Sequence, residues 1–343
     1  MKKEKILVIR YRFIGDTVLL VPFLRNLRNN HPEAEIDLTI TSTTYDVLKN
    51  CPYIDNFIFI DKNNHRHTYE LDGRKYHYKK LIKDKKYTKA YVLKRSFSAA
   101  WLAFVCGIKK RIGFGTEFRN FLLTQSVPYR ADIHEIEAFL DVLRAEGKNV
   151  DDGYLELWHE KSDIEFVESI LEKNNINSKG FVIIHATSGN VKKQWPMENW
   201  RDIVFDLSNN RNIQVVFLGA KSDYLFYEKI VSEISKSLKV KPLNLCGDLT
   251  LAQSIAMISK SKLLVGCDSG NLHIAAACNV PVIGIYGPMS AKKWGARGKN
   301  NTYFQIEEKG CPCSLKTKCK KNYKCLTSIT TSMIKNAIDN YLK

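Results

Sequence analysis

An apolar run that ends in a polar corner is the strongest candidate for chemistry in this sequence. Residues 262–277 read KLLVGCDSGNLHIAAA, so that Asp268, Ser269 and Gly270 follow a run of strand length and precede a helix of small residues. Ligands of α/β domains bind beyond the carboxyl ends of parallel strands, where a helix N-terminus presents free N–H groups to phosphate. Asp268 and His273 add polar side chains. The corner therefore predicts a phosphate or diphosphate site, and the alternative is a structural turn with a capping Asp and a packed His.

A second corner of the same kind lies earlier in the chain. Residues 185–196 read HATSGNVKKQWP and separate a predicted strand from a predicted helix. The hydroxyl groups of Thr187 and Ser188 and the ammonium groups of Lys192 and Lys193 are suited to binding phosphate oxygens. The segment lacks both the Walker A spacing and the dinucleotide glycine fingerprint, which argues against a P-loop NTPase and an NAD enzyme. Two such corners in one half of the chain could contact the same ligand.

Carboxylates follow two further strands. Asp16 stands in the segment YRFIGDT after the first strand, and Asp223 ends the segment GAKSD after a strand at 213–219. If the two halves of the chain face each other, Asp16 could take a proton from an acceptor hydroxyl while cations and amides stabilise a leaving diphosphate. Asp223 could hold a ribose or sugar hydroxyl. The alternative for each is a helix N-cap, because Asp is common there.

Four cysteines cluster near the C-terminus, within fifteen residues. Four thiolates can enclose zinc or iron tetrahedrally and fix a loop that has little core of its own. The first two are separated by one residue, whereas zinc knuckles usually separate the pair by two to four. The alternative is a set of reduced thiols or pairs that oxidise on handling. The cluster consists of Cys311, Cys313, Cys319 and Cys325. The other five cysteines lie among apolar residues and are expected to pack in the core.

The elements that position these residues alternate between strands and helices, which predicts parallel sheets. Strands are expected at 6–10, 34–40, 56–60, 90–93, 111–114, 180–185, 213–219, 243–245 and 263–267, with another at 280–285. A helix is expected over 18–30, kinked or delayed by Pro22. The stretch 61–89 is polar and rich in Lys, Arg, His and Tyr. We expect a surface excursion, mobile or helical, that faces an anionic partner, and the alternative is a solvated face. The two predicted domains cover 1–160 and 161–343.

Length and charge restrict the class of protein further. A chain of 343 residues with 44% hydrophobic residues fits two domains. No apolar run approaches the roughly 18–20 residues that span a bilayer, and the N-terminus shows no signal peptide, so a cytoplasmic protein without a transmembrane segment is expected. The net charge of +17 suggests an anionic partner, which could be nucleic acid, anionic lipid or a phosphorylated substrate.

Together these segments resemble glycosyltransferase family 9, the ADP-heptose:lipopolysaccharide heptosyltransferases. The resemblance covers nearly the whole chain. It is carried by the segments IRYRFIGDT at 9–17, HATS at 185–188, KQWP at 193–196, DSGNLH at 268–273 and YGP at 286–288. The family implies a GT-B fold, in which two Rossmann-like doubly wound domains face each other across a cleft. It also implies inverting sugar transfer without a catalytic metal.

Individual residues match the family's functional positions. Asp16 matches the general base. Lys193 matches the phosphate-binding lysine if the count runs back from Trp195, whereas Lys192 matches if it runs forward from His185, and Lys193 is preferred. Residues that match the family's donor contacts are Thr187, Ser188, Asp268, Ser269, Gly270 and His273. Asp223 stands where family members often have Glu. The cysteine cluster resembles that of some members, and it holds iron in autotransporter heptosyltransferases, whose additional N-terminal sequence is not seen here.

The expected function is transfer of heptose from ADP-L-glycero-D-manno-heptose to a hydroxyl of the lipopolysaccharide inner core. The enzyme would need no cofactor for catalysis, although the four cysteines could hold a structural zinc or iron ion. It would work in the cytoplasm, bound peripherally to the inner face of the inner membrane. Two alternatives keep the fold: use of another nucleotide sugar, and transfer to a protein acceptor. From a different class, the basic charge and clustered cysteines could belong to a nucleic-acid-binding protein, although no recognised module interleaves the lysines with stacking aromatics.

Overall fold

A computed structural model of the chain describes residues 3–60, 68–71, 74–315, 319 and 321–342. The chain divides into two compact units, Met1–Gly153 and Tyr154–Lys343. The division falls a few residues before position 160, where the sequence analysis places the boundary. Among the described residues no helix combines the length and the apolar character that crossing a bilayer requires.

Unit 1 is built on a parallel sheet of six strands with helices between them. The strand order across the sheet is β3-β2-β1-β6-β7-β8. Its strands are β1 (Lys5–Ile9), β2 (Glu35–Ile40), β3 (Asn56–Phe59), β6 (Lys89–Val92), β7 (Lys110–Phe114) and β8 (Gln125–Val127), and a separate hairpin pairs β4 (Thr68–Leu71) with β5 (Arg74–His77). Its helices are α1 (Ile14–Val18), α2 (Val21–Asn30), α3 (Ser42–Leu48), α4 (Tyr78–Lys85), α5 (Phe97–Val105) and α6 (Glu135–Ala145).

The helix expected over 18–30 begins late, at Val21, as Pro22 predicted, and a separate short helix precedes it. The chain forms α1 directly after β1, and α2 begins at Val21 with Pro22 in its first turn. Proline fits this position because the first amides of a helix have no intrahelical acceptor to lose. The early start of α1 places Asp16 inside a helix, with Phe13 at the N-cap. The alternative interpretation of Asp16 as a helix cap is therefore wrong.

The stretch 61–89 contains more regular structure than a surface excursion. The hairpin of β4 and β5 leads into α4, and Lys89 already belongs to the central sheet. Positions 61–67 and 72–73 of the predicted excursion lie outside the described residues. The antiparallel hairpin was not expected because its segments lack an alternating apolar pattern, which is the usual sequence signal of a strand.

Unit 2 repeats the sheet of unit 1. Its strand order is β11-β10-β9-β12-β13-β14. The strands are β9 (Phe181–His185), β10 (Gln214–Phe217), β11 (Leu243–Asn244), β12 (Leu263–Cys267), β13 (Val282–Tyr286) and β14 (Asn301–Gln305). The helices are α7 (Lys161–Lys173), α8 (Met197–Phe205), α9 (Tyr224–Ile234), α10 (Leu251–Lys260), α11 (Gly270–Ala277), α12 (Ala291–Trp294), α13 (Lys324–Thr327) and α14 (Thr331–Leu342).

Both sheets share one topology once the hairpin is set aside. Counted within each sheet, the strands lie in the order 3-2-1-4-5-6, which is that of a doubly wound Rossmann-like fold. The chain reverses direction across the sheet beside the first strand, between β1 and β6 in unit 1 and between β9 and β12 in unit 2. Ligands of such sheets bind beyond the carboxyl ends of the strands at this switch point. The fold thus predicts that ligands bind at the turns after these four strands.

The C-terminal segment completes the core of unit 2. Residues of α13 and α14 pack with Trp195 and Trp200, which are both almost fully buried. The indole Nε1 of Trp195 donates to the carbonyl oxygen of Ile329 at 3.0 Å, and its backbone N–H contacts Cys267 Sγ at 3.3 Å. Trp195 therefore ties the turn after β9 to β12 and to the end of the chain.

Candidate functional site

The two predicted phosphate corners of unit 2 are in direct contact. β9 and β12 are adjacent parallel strands, and each is followed by one of the corners. Lys193 Nζ lies 2.8 Å from Asp268 Oδ2, and the hydroxyl of Ser188 donates to the carbonyl oxygen of Asp268 at 3.2 Å. The side-chain amide of Gln194 in turn donates to the Ser188 carbonyl at 3.2 Å. Segments separated by about eighty residues in the chain thus form one polar surface.

Asp268 is a buried carboxylate at the centre of this surface. Burial raises the pKa of Asp268 above its ordinary value, and the ammonium group of Lys193 acts in the opposite direction. The charge of Asp268 is costly to bury, and Lys193 is the cation that balances it. Because Lys193 is only partly exposed and Asp268 is the partner of its ammonium group, a bound anion would compete with Asp268 for the same cation.

The start of α11 offers an anion site beside this pair. Ser269 occupies the N-cap, and its side chain caps no backbone amide. The Ser269 Oγ atom is buried and makes no hydrogen bond among the described residues. The first amides of the helix, beginning at Gly270, have no intrahelical acceptor, and the helix dipole favours negative charge there. An anion with several oxygens would satisfy the hydroxyl and the amides together.

The other predicted donor-binding residues of unit 2 are fixed by hydrogen bonds or by burial. The hydroxyl of Thr187 hydrogen-bonds to that of Tyr227, whose pKa burial raises strongly. Asp223 Oδ2 accepts from the N–H of Ala220 at 2.8 Å, so this carboxylate fixes the turn after β10. A Cβ at Gly219 would lie 2.7 Å from the same oxygen, and a side chain there would displace Asp223. His273 is buried on the second turn of α11.

The two neighbouring lysines point to different places. Lys193 pairs with Asp268, whereas Lys192 is exposed and lines the small cavity that holds the C-terminal cysteines. Val191–Lys193 forms one turn of 3-10 helix, in which successive side chains diverge by about 120°. The sequence analysis prefers Lys193 to Lys192 as the phosphate-binding lysine, and Lys193 is the one that lies at the candidate site in the structure.

In unit 1 the predicted base lies in a cluster of buried charges. Asp16 Oδ1 forms a short ion pair with Arg10, and the Nε of Arg12 lies 3.8 Å from Asp16 Oδ2. Arg10 and Asp16 are 3% and 8% exposed, so their pairing takes place away from bulk water. The guanidinium of Arg10 also stacks over the ring of Phe139 at 5.0 Å from its centroid. One carboxylate oxygen of Asp16 is thus held, and the other faces the more exposed Arg12.

A second buried carboxylate supports Arg10. Glu135 is fully buried at the start of α6, and its Oε1 lies 3.8 Å from Arg10 and 3.6 Å from Arg95. The Tyr129 hydroxyl donates to Glu135 Oε2 at 2.6 Å. Glu135 is not among the functional residues that the sequence analysis predicts. The available signal was an acidic residue in an otherwise apolar helix face.

The four C-terminal cysteines line one small cavity of about 20 Å³ with Lys192 and Pro288. The N–H of Tyr323 donates to Cys319 Sγ at 3.3 Å, and this bond leads the causes that lower the pKa of the Cys319 thiol. Burial, together with the neighbouring thiols, raises the pKa of Cys325 to about 12. All nine cysteines are free, and within the described part of the chain no three His, Cys, Asp or Glu side chains are arranged as ligands of one metal ion.

Comparison with known proteins gives a consistent result. Residues 76–324 match the family description "Glycosyltransferase family 9 (heptosyltransferase)". Lipopolysaccharide heptosyltransferase 2 of Salmonella typhimurium is 26% identical over 294 residues, which cover 83% of each chain. The structure of Escherichia coli ADP-heptose lps heptosyltransferase II superimposes with a TM-score of 0.78 at 21% identity, covering 98% of both chains. A family 9 glycosyltransferase of Veillonella parvula gives 0.81 at 20% identity, covering 99% of this chain and 97% of its own. The predicted GT-B fold class is confirmed.

Proposed function

Because this chain belongs to glycosyltransferase family 9, the heptosyltransferases, we propose that it transfers heptose from ADP-L-glycero-D-manno-heptose to the lipopolysaccharide inner core. The names of its relatives support this donor and acceptor, since one is a lipopolysaccharide heptosyltransferase and another an ADP-heptose enzyme. The family membership favours a transferase over the alternative hypothesis of a nucleic-acid-binding protein. The observation that carries the donor assignment is the contact between Lys193 and Asp268 beside the start of α11.

Unit 2 supplies the diphosphate site in this proposal. Lys193 leaves Asp268 for the diphosphate or bridges both, and the Ser269 hydroxyl and the first amides of α11 take the remaining oxygens. Thr187, Ser188, Gly270 and His273 keep the donor contacts that the family resemblance implies, and Asp223 holds a sugar or ribose hydroxyl. Stabilisation of the leaving ADP by these fixed donors is the main electrostatic contribution to the reaction.

Asp16 of unit 1 is the general base. The oxygen of the acceptor hydroxyl attacks the anomeric carbon of the heptose, and its proton passes to the Asp16 carboxylate. The bond between the anomeric carbon and the diphosphate oxygen breaks, and its electron pair leaves with ADP. Attack opposite the leaving group inverts the anomeric configuration. Because Arg10 holds Oδ1, we assign the proton to Oδ2.

We propose that the four cysteines hold one structural zinc or iron ion, which would draw together thiols that the described residues do not arrange as ligands of one ion. They line a cavity of about 20 Å³, which is room for a single small ion, and soft thiolates suit both metals. Metal binding would remove the thiol protons, which the raised pKa of Cys325 otherwise retains. The ion would fix the C-terminal segment and take no part in sugar transfer. Elemental analysis of the purified protein tests this, and a Cys313→Ser variant with undiminished metal content would contradict it.

Calorimetric titration with ADP, UDP, GDP and CMP, each with and without magnesium, tests the donor. Selective binding of ADP that needs no magnesium is expected. Preference for UDP or GDP would be compatible with a glycosyltransferase but would contradict ADP-heptose as its donor. Turnover is then measured with ADP-heptose and an inner-core acceptor. We place the enzyme on the cytoplasmic side of the membrane that carries this acceptor, where a peripheral contact suffices.

A further inference from the structure

Helix α5 of unit 1 is apolar on both of its faces although it lies at the surface. Its sequence, FSAAWLAFV, contains one polar residue. The inner face, which includes Ala99, Ala100 and Ala103, is fully buried against the core of unit 1. A helix that is hydrophobic all round is normally enclosed on every side. The outer face of α5 therefore requires a separate explanation.

Aromatic rings cover that outer face. Phe97, Trp101 and Phe104 are 42%, 44% and 45% exposed, and Phe121 from the neighbouring turn is 71% exposed. The ring centroids of Phe97 and Trp101 lie 6.3 Å apart, those of Trp101 and Phe104 5.7 Å, and those of Phe97 and Phe121 6.2 Å. These four residues form one continuous surface, which we call the aromatic face. A contiguous apolar patch of this kind marks an interaction site.

Basic residues lie on two sides of the aromatic face, and one carboxylate, Glu117, accepts a hydrogen bond from the N–H of Phe97 at 3.0 Å. The thiol of Cys106, just after α5, lies 3.6 Å from the carbonyl oxygen of Lys79, so the lysine-rich helix α4 runs beside it. Lys80 and Lys83 of α4 are exposed. On another side, the guanidinium of Arg111 lies 5.4 Å from the centroid of the Phe104 ring. Between residues 77 and 119 the sequence has twelve Lys and Arg against two acidic residues.

The charge distinguishes between possible partners. A second copy of the chain in a symmetric dimer would bring this basic rim against itself, which like-charge repulsion disfavours. A bilayer with anionic lipids matches both features, because aromatic rings partition into the headgroup region and lysines are attracted to the negative surface. Amphipathic surface helices bind membranes in this way, with the apolar face inserted at the boundary of headgroups and acyl chains.

We propose that the aromatic face, with the basic rim of α4 and Arg111, binds the surface of an anionic lipid bilayer. This proposal rests on the proposed function, because an enzyme with a lipopolysaccharide acceptor has to reach a membrane. It goes further by naming the residues that make the contact. The predicted anionic contact of the stretch 61–89 is thereby placed on α4 and joined to an aromatic surface from a different part of the chain.

Flotation of the purified full-length chain with vesicles tests the proposal. Vesicles of phosphatidylcholine with about 30% phosphatidylglycerol should carry the wild-type protein, and pure phosphatidylcholine vesicles should carry much less. The variant Trp101→Ser/Phe104→Ser should bind the anionic vesicles at least about tenfold more weakly. Lys80→Glu/Lys83→Glu should lose most of the dependence on anionic lipid, and raising the salt concentration should weaken wild-type binding. The matched control is Leu225→Ser, an exposed apolar residue of unit 2, which should bind like the wild type.

ADP titration of every variant separates this proposal from the proposed function. Unchanged thermal unfolding and circular dichroism show that unit 1, which carries the aromatic and lysine substitutions, is folded. Unchanged ADP binding shows that the donor site of unit 2 is intact, so that vesicle binding is the altered property. Wild-type protein that ignores anionic vesicles, or a Trp101→Ser/Phe104→Ser variant that binds them fully, would overturn the membrane surface while the donor assignment stands. A change in oligomeric state on sedimentation of that variant would show instead that a second copy covers the aromatic face, which also overturns the proposal.

Discussion

The two units share one strand order and carry opposite chemistry at the corresponding place. After the first strand of unit 1, the chain presents a carboxylate, Asp16, held by Arg10. After the first strand of unit 2 the chain presents hydroxyl groups and Lys193. Lys193 pairs with Asp268, which lies in the turn after β12, the neighbour of β9 in the sheet. The strand order fixes where a ligand meets each sheet, and the residues in the turns decide what it meets.

The two ion pairs also differ in how firmly they are held. Arg10 and Asp16 are both buried, and Glu135, Tyr129 and Phe139 surround them. The pair of Lys193 and Asp268 has a partly exposed cation beside an unsatisfied serine hydroxyl. The first arrangement keeps a reactive group in one position, as a base requires. The second leaves a cation that a ligand can reach.

Loss of Asp16 should give the largest effect. Asp16→Asn is expected to lower turnover by about 10²–10⁴-fold, because the amide cannot accept the acceptor's proton, and to leave ADP affinity nearly unchanged. Steady-state kinetics with ADP titration measures both. Asp132→Asn, at an exposed position of unit 1, is the control and should keep full activity. If Asp16→Asn retains its turnover, Asp16 is not the general base, and the proposed chemical difference between the two units does not hold.

Removal of Arg10 should destabilise unit 1 selectively. Arg10→Met removes the buried cation that Asp16 and Glu135 share. Arg12 remains 3.8 Å from Asp16, and Arg95 remains 3.6 Å from Glu135. Loss of a buried partner costs about 3–5 kcal/mol of the free energy of unfolding. Hydrogen exchange measured by mass spectrometry should show faster exchange in β1 and α6, with unit 2 unaffected. Adding Glu135→Gln to this variant should restore part of the loss. Equal destabilisation of both units would contradict the local role of the pair.

Replacement of the two lysines separates their roles within unit 2. Lys193→Ala should weaken ADP binding by about 10-fold or more, since a charge-assisted hydrogen bond to phosphate contributes about 1.5–3 kcal/mol. Lys192→Ala is the matched control, one residue away, and should change ADP affinity little. Calorimetry measures both. The reverse order of effects would return the phosphate-binding role to Lys192.

The smallest predicted effect is a difference in how acid acts on the two units. Burial acts to raise the pKa of Glu146 in unit 1, but hydrogen bonds from Lys110, Tyr91 and Lys89 outweigh it and lower the pKa to about 2. The stability from Glu146 is thus present above its ordinary pKa of 4.5 and is lost as pH falls toward 2. Asp268 in unit 2 has a raised pKa, so its contribution is present at low pH and is lost as pH rises through that pKa.

Unfolding of the wild type, Glu146→Gln and Asp268→Asn between pH 2 and 7 measures this difference. Glu146→Gln should be less stable than the wild type at neutral pH, and the deficit should vanish at low pH. Asp268→Asn should show its greatest gain over the wild type at neutral pH. If both variants respond to pH in the same direction, the two carboxylates do not differ as proposed.

The sequence was most informative where strands are fully buried. β1, β9, β12 and β13 are continuous apolar runs, and the polar residues directly after them could be assigned to one edge of each sheet. The edge strands β8 and β14 were missed, because Gln125–Val127 and Asn301–Gln305 mix polar residues with few apolar ones and resemble loops. The opposite edge strands, β3 and β11, were expected, so the misses at β8 and β14 follow from their polar composition together with their edge position.

Contacts between distant segments explain what remained unpredicted at the site. Arg10 and Glu135 are 125 positions apart, and no local pattern indicates that the two charges meet inside unit 1. The choice between Lys192 and Lys193 depended on the direction that each side chain takes from a single helical turn. Candidate residues could therefore be named from motifs, whereas their partners required the tertiary structure.

The packing of Trp195 against the C-terminal segment has a consequence for biosynthesis. The indole donates to the carbonyl oxygen of Ile329, and α14 supplies Ile334 and Ile338 to the core of unit 2. Ile329 follows Trp195 by 134 positions in the chain, so it is synthesised much later. Unit 1 can fold during synthesis, as N-terminal domains do. The turn that carries Lys193 becomes anchored only after residues 329–338 have been synthesised, so a product truncated before them would have the proposed base without a stable donor site.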